Sequence, residues 1–423
     1  MEKMALNNSC STQIVILGGG IAGLWLLNRL CNEGFDAVLL EKNALGGGQT
    51  LASQGIIHGG LKYALNGALS PASSAIADMP ARWRQCLDGS GELDLSGCRL
   101  LSPNYYMWSD SSYRSRLKTF LGSKALRGRI DALKPTEYPA FFRNAAPQNA
   151  ALKGTLYKLT DFVVDTPSLL RILSARYRDR LFHSPTISLS RNADNKIIHV
   201  SAEGPSGMVQ ISAQRYILCA GEGNETLLKE AGISKPEMQK RPLHMVCVHL
   251  DHPDPVFVHC IGDSFGMAPR LTITSHPLDD ETVAGARTQQ VWYIGGEIAE
   301  KGVNRSAAEQ QHIAREELSC MFPWVDFSAA QWGSFFINRA EPKVLNLQRP
   351  DNAYVGTAQN LLITWPTKLT LSPDLGDAVL QNLRSQQLVP EFSAGAVAGI
   401  ASPLSAQFKF PDFAIPRWEG MFR

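Results

Sequence analysis

Short runs of consecutive apolar residues recur along the chain, and most are followed by a glycine turn and then by apolar residues at helical spacing. Ile14-Val15-Ile16-Leu17 predicts a strand buried on both faces, and Leu24, Leu26, Leu27 and Leu30 behind it predict an apolar helix. Ala37-Val38-Leu39-Leu40, ending on Glu41, and Tyr216-Ile217-Leu218-Cys219, ending on Ala220-Gly221, repeat the strand pattern. Between Pro236 and Glu341 the pattern changes. Leu243 to Leu250 and Val256 to Ile261 alternate, Leu271 to Thr274 and Val291 to Gly296 continue the series, and together they predict an antiparallel or mixed sheet. The stretch from Gly333 to Lys343 adds a strand, and Asp351–Gly356 with Leu361–Thr364 reads as a hairpin returning to the first sheet.

Helical spacing marks the remaining elements. Ile76, Met79, Trp83 and Leu87 predict a core-covering helix that starts with Ser70 as N-cap and Pro71 in the first turn. Leu169, Leu170, Ile172, Leu173 and Tyr177 follow Thr166 as N-cap, and Ala307, Ala314, Leu318 and Met321 share one face of a helix over 304–321. Arg114 to Leu126 reads as a basic amphipathic helix with a solvated face, and the last long helix follows Ser372. Beyond Val389 the chain has no sustained helical period and reads as a packed closing arm.

The turn Gly18-Gly19-Gly20-Ile21-Ala22-Gly23 joins the first strand to its helix. Gly18 allows a sharp turn, Gly20 lets backbone approach a pyrophosphate, and Gly23 lets the helix lie close on the sheet. The unpaired N–H groups at the helix start favour phosphate. Glu41, about twenty residues on, sits where a ribose hydroxyl pair needs an acceptor, which suits FAD or NAD better than NADP.

The segment Gly46-Gly47-Gly48-Gln49-Thr50-Leu51-Ala52-Ser53-Gln54-Gly55-Ile56-Ile57-His58-Gly59-Gly60-Leu61-Lys62-Tyr63 resembles the FAD-dependent oxidoreductases of the D-amino-acid oxidase superfamily. The Ile-His-Gly-Gly-Leu-Lys-Tyr run looks most like the glycerol-3-phosphate and 2-hydroxyglutarate dehydrogenase branch. The resemblance implies an α/β fold: a Rossmann-like FAD-binding domain (1–90, 155–235 and 345–423) interleaved with an α+β substrate domain (91–154 and 236–344) on a mixed, largely antiparallel sheet. It implies FAD contacts from Gly18, Gly20, Ile21, Ala22, Gly23, Glu41 and Lys42, then from Gln49, Thr50, Ser53, Gln54, Gly55 and Ile57. Ile187 is placed at the adenine, Ala220 and Gly221 on a second nucleotide-facing strand, and Thr367, Lys368, Leu369 and Thr370 in the flavin loop. That loop reads Trp-Pro-Thr-Lys where the family has a glycine-rich approach.

For catalysis the resemblance points to His58, Arg339 and Lys368. Arg339 is either a ligand for a substrate carboxylate or an ion-paired structural residue. Lys368 either faces the pyrimidine edge of the flavin, binds the substrate carboxylate, or points to solvent. His58 is either an attachment point for the flavin or a group near the substrate, and its glycine neighbours favour non-covalent FAD. The expected activity is oxidation of a C–N or C–O bond in a small, carboxylated amine, amino acid or hydroxy acid, by hydride transfer to flavin N5. The electron acceptor stays open between oxygen, a quinone and a protein. An NAD-dependent dehydrogenase and an FAD-binding protein with a structural or assembly role are the alternatives.

Composition narrows the remaining classes. A chain of 423 residues is long for one core, and a net charge of +2 gives no electrostatic case for nucleic acid or an acidic membrane surface. Eight cysteines without a C-x-x-C pair argue against a redox centre or a zinc ribbon, and reduced thiols suit a cytoplasmic protein. No stretch reaches the length of a membrane span. His244, His249, His252 and His259 lie near Cys247 and Cys260, but His244 and His249 are an odd number of residues apart on a strand and point to opposite faces, so no metal is expected and the histidines read as surface or core-satisfied.

Overall fold

The computed structural model describes residues 9–60, 76–110, 130–144, 154–261, 269–278, 289–343 and 352–422. The predicted helix over 114–126, the Ser70-Pro71 helix start and the Leu61-Lys62-Tyr63 run lie outside the described residues.

Among the described residues, two eight-stranded sheets carry most of the fold. In the first, Ser9–Leu17 lies at the centre, parallel to Ala37–Glu41 on one side and to Gly207–Leu218 on the other. Leu181–His183 extends the sheet beyond Ala37–Glu41, and the antiparallel pair Ile187–Arg191 and Ile197–Gly204 extends it past the first half of Gly207–Leu218. The far end of that long strand pairs instead with Leu361–Trp365, which returns through its hairpin partner Tyr354–Ala358. Ile14, Val15 and Ile16 are fully buried because both faces of this strand are covered, the reason its sequence does not alternate.

The helix Ile21–Asn32 covers one face, with Trp25 packed on Trp83 from the helix Met79–Leu87. Buried Asn28 ties this helix to the next by donating from Nδ2 to the carbonyls of Leu24 and Leu173. The second helix, Thr166–Ala175, is capped by Asp165, whose carboxylate accepts from the Ser168 N–H at 3.1 Å; Thr166 is the first helical residue rather than the cap, because an ionised acceptor already sits one residue earlier. Likewise the helix expected over 304–321 starts at Ala307 behind the Ser306 cap, which leaves Ala307 exposed and turns Gln310, Ala314 and Leu318 inward.

The second sheet runs Gln331–Pro342, Met238–Asp251, Gln289–Gly295, Leu271–Pro277, Phe257–Ile261, Tyr105–Asp110, Gly154–Leu159, Ile130–Ala132. All neighbours are antiparallel except Phe257–Ile261 with Tyr105–Asp110. A small third sheet joins Ile56–Ile57, Phe162–Val164 and Leu100–Ser102. Its pairing of Ile57 with Phe162 sets the residues that follow and precede them, His58 and Asp161, side by side.

The closing arm is packed. His183 N–H donates to the Lys409 carbonyl, buried Arg180 donates to the Ile400 carbonyl, and Trp418 packs on Tyr293 and His276 of the second sheet. Among the described residues no helix is long and apolar enough to cross a membrane.

Candidate active site

A cavity of about 800 Å³ opens between the two large sheets. One end is made of backbone. Gly18 has φ +113°, and a Cβ there would lie 2.7 Å from Ala220 Cα, so the sharp turn and the close crossing of the next strand both require glycine. At Gly23 an added Cβ would meet the Gly18 carbonyl oxygen at 2.0 Å, so that glycine serves helix packing and lies outside the cavity. Gly20 differs from both: an added Cβ meets only the Thr50 hydroxyl, at 3.2 Å, and otherwise points into open space. The Thr50 hydroxyl oxygen accepts from the Ile21 N–H at 3.0 Å, which fixes the loop 46–50 against the helix start.

Glu41 lines the same end. Its carboxylate accepts from the Gly19 N–H at 2.5 Å and from the Asn43 N–H at 2.8 Å, holding it at the strand end. Lys42, Gln49, Ser53, Ile187, Ala220 and Gly221 also face the cavity. Cys219 beside them shares a hydrogen bond with Thr364 Oγ1, and burial pushes its thiol up to about 12, which keeps it a neutral, inert lining residue.

Gln54 and Gly55 reach the cavity wall, but Gln54 has a second task. Its Nε2 donates to the carbonyls of Thr272 and Tyr293, both at 2.8 Å, and the Tyr293 hydroxyl donates to the Ala52 carbonyl. These bonds pin 52–54 to the second sheet. Ile57 is fully buried in the core and Thr370 is buried with its hydroxyl on the His58 carbonyl, so neither lines the cavity. Both flank residues that do.

Side chains from distant segments complete the lining. His58 Nδ1 lies 3.3 Å from Asp161 Oδ2, and Asp161 Oδ1 accepts from the Gly59 N–H at 2.7 Å. Asp161 is 3% exposed and fixed by the Gly59 N–H, so it orients the His58 ring. His259 stacks beside His58 with ring centroids 6.0 Å apart and is fixed through Nδ1 to the Thr272 hydroxyl at 2.9 Å. Arg339 lines the cavity, and its Nη1 lies 3.2 Å from Glu300 Oε1, the ion pair of its structural reading. Lys368 also lines the cavity and is 6% exposed, which rules out the solvent-pointing reading.

Asp161, Glu300 and the position of His259 were not legible in the sequence. Asp161 lies 103 residues from His58, and no local pattern links them. His259 is buried and bonded to Thr272, as expected of a core-satisfied histidine, and it also lines the cavity. His244 is core-satisfied, between the Gly302 carbonyl and the Ser334 hydroxyl.

The FAD dependent oxidoreductase (DAO) family model matches residues 13–360, and the chain belongs to that family. It is similar to the FAD-dependent oxidoreductase PA4991 of Pseudomonas aeruginosa, with 45% identity over 97% of this chain and 98% of the relative. The crystal structure of PA4991 superposes with a TM-score of 0.80, covering 98% of this chain and 99% of that one. Glycine oxidase from Geobacillus kaustophilus (16% identity, TM-score 0.60, 93% and 99% covered) and L-alpha-glycerophosphate oxidase from Mycoplasma pneumoniae (12%, 0.61, 89% and 95%) share the fold. The protein is therefore an FAD-dependent oxidoreductase with FAD as its cofactor, and an NAD-dependent dehydrogenase is set aside. The cradle fits that cofactor: Gly20 is open towards the helix start, and Glu41 stands at the neighbouring strand end.

Proposed function

We propose that the protein oxidises a small 2-hydroxy acid to the 2-oxo acid. The observation that carries this reading is the His58–Asp161 pair on the cavity wall. Oxidation of an alcohol must remove the hydroxyl proton as the C–H bond breaks, whereas a neutral amine needs no base beyond deprotonation on binding. Asp161 holds His58 through Nδ1, which leaves Nε2 as the acceptor of that proton, and the imidazolium formed is stabilised by the adjacent carboxylate. Lys368 and Arg339 supply positive charge for the carboxylate, with Glu300 as the counter-ion that Arg339 exchanges for it. When bound, FAD supplies the hydride acceptor. Pinning 52–54 to the second sheet fixes the substrate side relative to the cofactor side.

Among proteins of this fold, the names glycine oxidase, iminodiacetate oxidase and glycerol-3-phosphate dehydrogenase cover both amine and alcohol oxidation, so the fold alone does not choose. FAD is held non-covalently and is released by acid precipitation, and the chain acts in the cytoplasm with oxygen, a quinone or a protein as electron acceptor. The segments around the first sheet form the cofactor domain, and those around the second the substrate domain. The test is an anaerobic screen of flavin reduction. Bleaching by 2-hydroxy acids supports the reading; bleaching by amino acids alone contradicts the choice of alcohol.

A further inference from the structure

Among the described residues, one group of three potential ligand side chains converges: His58, Asp161 and His259, each offering an atom within 4.8 Å of the other two. The three come from separate segments: the short strand pair supplies His58 and Asp161, and the second sheet supplies His259. His58 and Asp161 already form the pair described above. His259 is the addition, and it is held firmly. Its Nδ1 is bonded to Thr272 Oγ1, its ring meets the edge of Tyr105 at 4.6 Å, and the Tyr105 hydroxyl is anchored on the Val258 and Ile273 carbonyls. His58 and His259 lie nearly parallel, 12° apart.

The spacing identifies what fits between them. Ring nitrogens of His58 and His259 no more than 4.8 Å apart leave a gap that one oxygen bridges at up to about 2.8 Å from each, which is hydrogen-bond distance. Zinc would have to draw nitrogen and oxygen ligands in to about 2.0–2.2 Å. An oxygen needs no such contraction. We propose that His58 and His259, with Asp161 orienting His58, form an oxygen site that seats the substrate hydroxyl, and that His259 is a catalytic residue in direct contact with it. This rests on the hydroxy-acid reading. In the reaction the C–H bond breaks with its electron pair passing to FAD, the O–H bond breaks with its proton passing to His58, and the carbinol C–O bond becomes the C=O bond of the 2-oxo acid. His259 holds the oxygen throughout and so keeps the C–H bond aimed.

The test uses two carboxylates that cannot be oxidised and differ by one hydroxyl, 2-hydroxy-2-methylpropanoate and 2-methylpropanoate. Their binding to the EDTA-dialysed holoenzyme is followed by perturbation of the flavin spectrum. The wild type is expected to prefer the hydroxy compound about tenfold, the size of a hydrogen bond to charged or strongly polar groups. In His259→Gln, which keeps an amide near Thr272, the preference falls to within about twofold while binding of 2-methylpropanoate is unchanged. That unchanged binding shows an intact pocket, which a merely structural role for His259 would not leave. An absent preference in the wild type, a preference that survives His259→Gln, or one that appears only with added divalent metal overturns the oxygen site. If neither carboxylate binds the wild type, the carboxylate reading of Arg339 and Lys368 falls, and the oxygen site falls with it. If the preference is as expected but only amino acids reduce the flavin, the hydroxy-acid reading fails by itself.

Discussion

The two parts of the cavity lining are built by different means. The cofactor end is backbone: a strand, a glycine turn and a helix start inside residues 9–32, with Glu41 on the adjoining strand. The rest of the lining is side chain: His58, Asp161, His259, Arg339 and Lys368 come from five places and are brought together by both large sheets and the small one. A backbone cradle depends on conformation, so it tolerates change wherever the dihedrals and open space survive. A side-chain constellation depends on packing hundreds of residues apart, so it can be re-specified without altering the fold.

The contrast can be broken most severely at Gly20. Gly20→Val is expected to fold, because only the flexible Thr50 side chain is within contact of the new Cβ, and to retain no FAD after desalting. Gly18→Val, with a backbone clash at 2.7 Å and φ +113°, should lose the fold as well. Equal flavin content in a folded Gly20→Val protein would falsify the assignment of the cofactor end.

The substrate side should show its burial in acid. His276 sits between Trp418 and Tyr293, and burial, with a smaller contribution from Arg99, pushes its imidazole down to about 3. The unfolded chain binds this proton near pH 6.5 and the folded chain does not, so stability falls as pH drops from about 6.5 towards 3, by up to about 1.4 kcal/mol per pH unit. Urea midpoints measured at pH 7, 6, 5 and 4 should fall accordingly, and His276→Gln should flatten the slope.

Two smaller effects separate the two parts further. Glu41→Ala removes an ionised acceptor at the cofactor end and should weaken FAD binding about ten- to hundredfold, measured by fluorescence titration of the apoprotein, with flavin reduction by substrate otherwise normal once saturated. Lys368→Met should lower the flavin reduction potential if the ammonium lies by the pyrimidine edge, or weaken carboxylate binding several-fold at constant potential if it lies over the substrate. Spectroelectrochemistry and a binding titration on the same sample distinguish these.

What was legible in the sequence follows the same division. The strand Ser9–Leu17, its glycine turn, Glu41 and the strand before Ala220 were readable because buried parallel strands are short apolar runs and their turns are glycines. The second sheet was readable from alternation, though Met238–Asp251 runs longer than its alternating centre because Gln331–Pro342 pairs along most of it. His58 stood out between apolar and glycine residues. Asp161 and His259 did not, since a carboxylate before a strand and a histidine within one look the same whether they face solvent, core or cavity. Gln54 was read as a cofactor contact, yet its amide bridges to the second sheet, a partner 218 residues away that no local pattern announces.

The central claim is that an alcohol loses its hydride here while His58 takes its proton. Rapid anaerobic mixing of the oxidised holoenzyme with a panel of 2-hydroxy acids and the matching 2-amino acids, for the wild type and His58→Asn, tests it most directly. The account predicts flavin bleaching by a hydroxy acid and not by its amino counterpart, slowed about 10²- to 10⁴-fold in His58→Asn at unchanged FAD content. Bleaching by the amino acid instead, or an equal rate in His58→Asn, would contradict it.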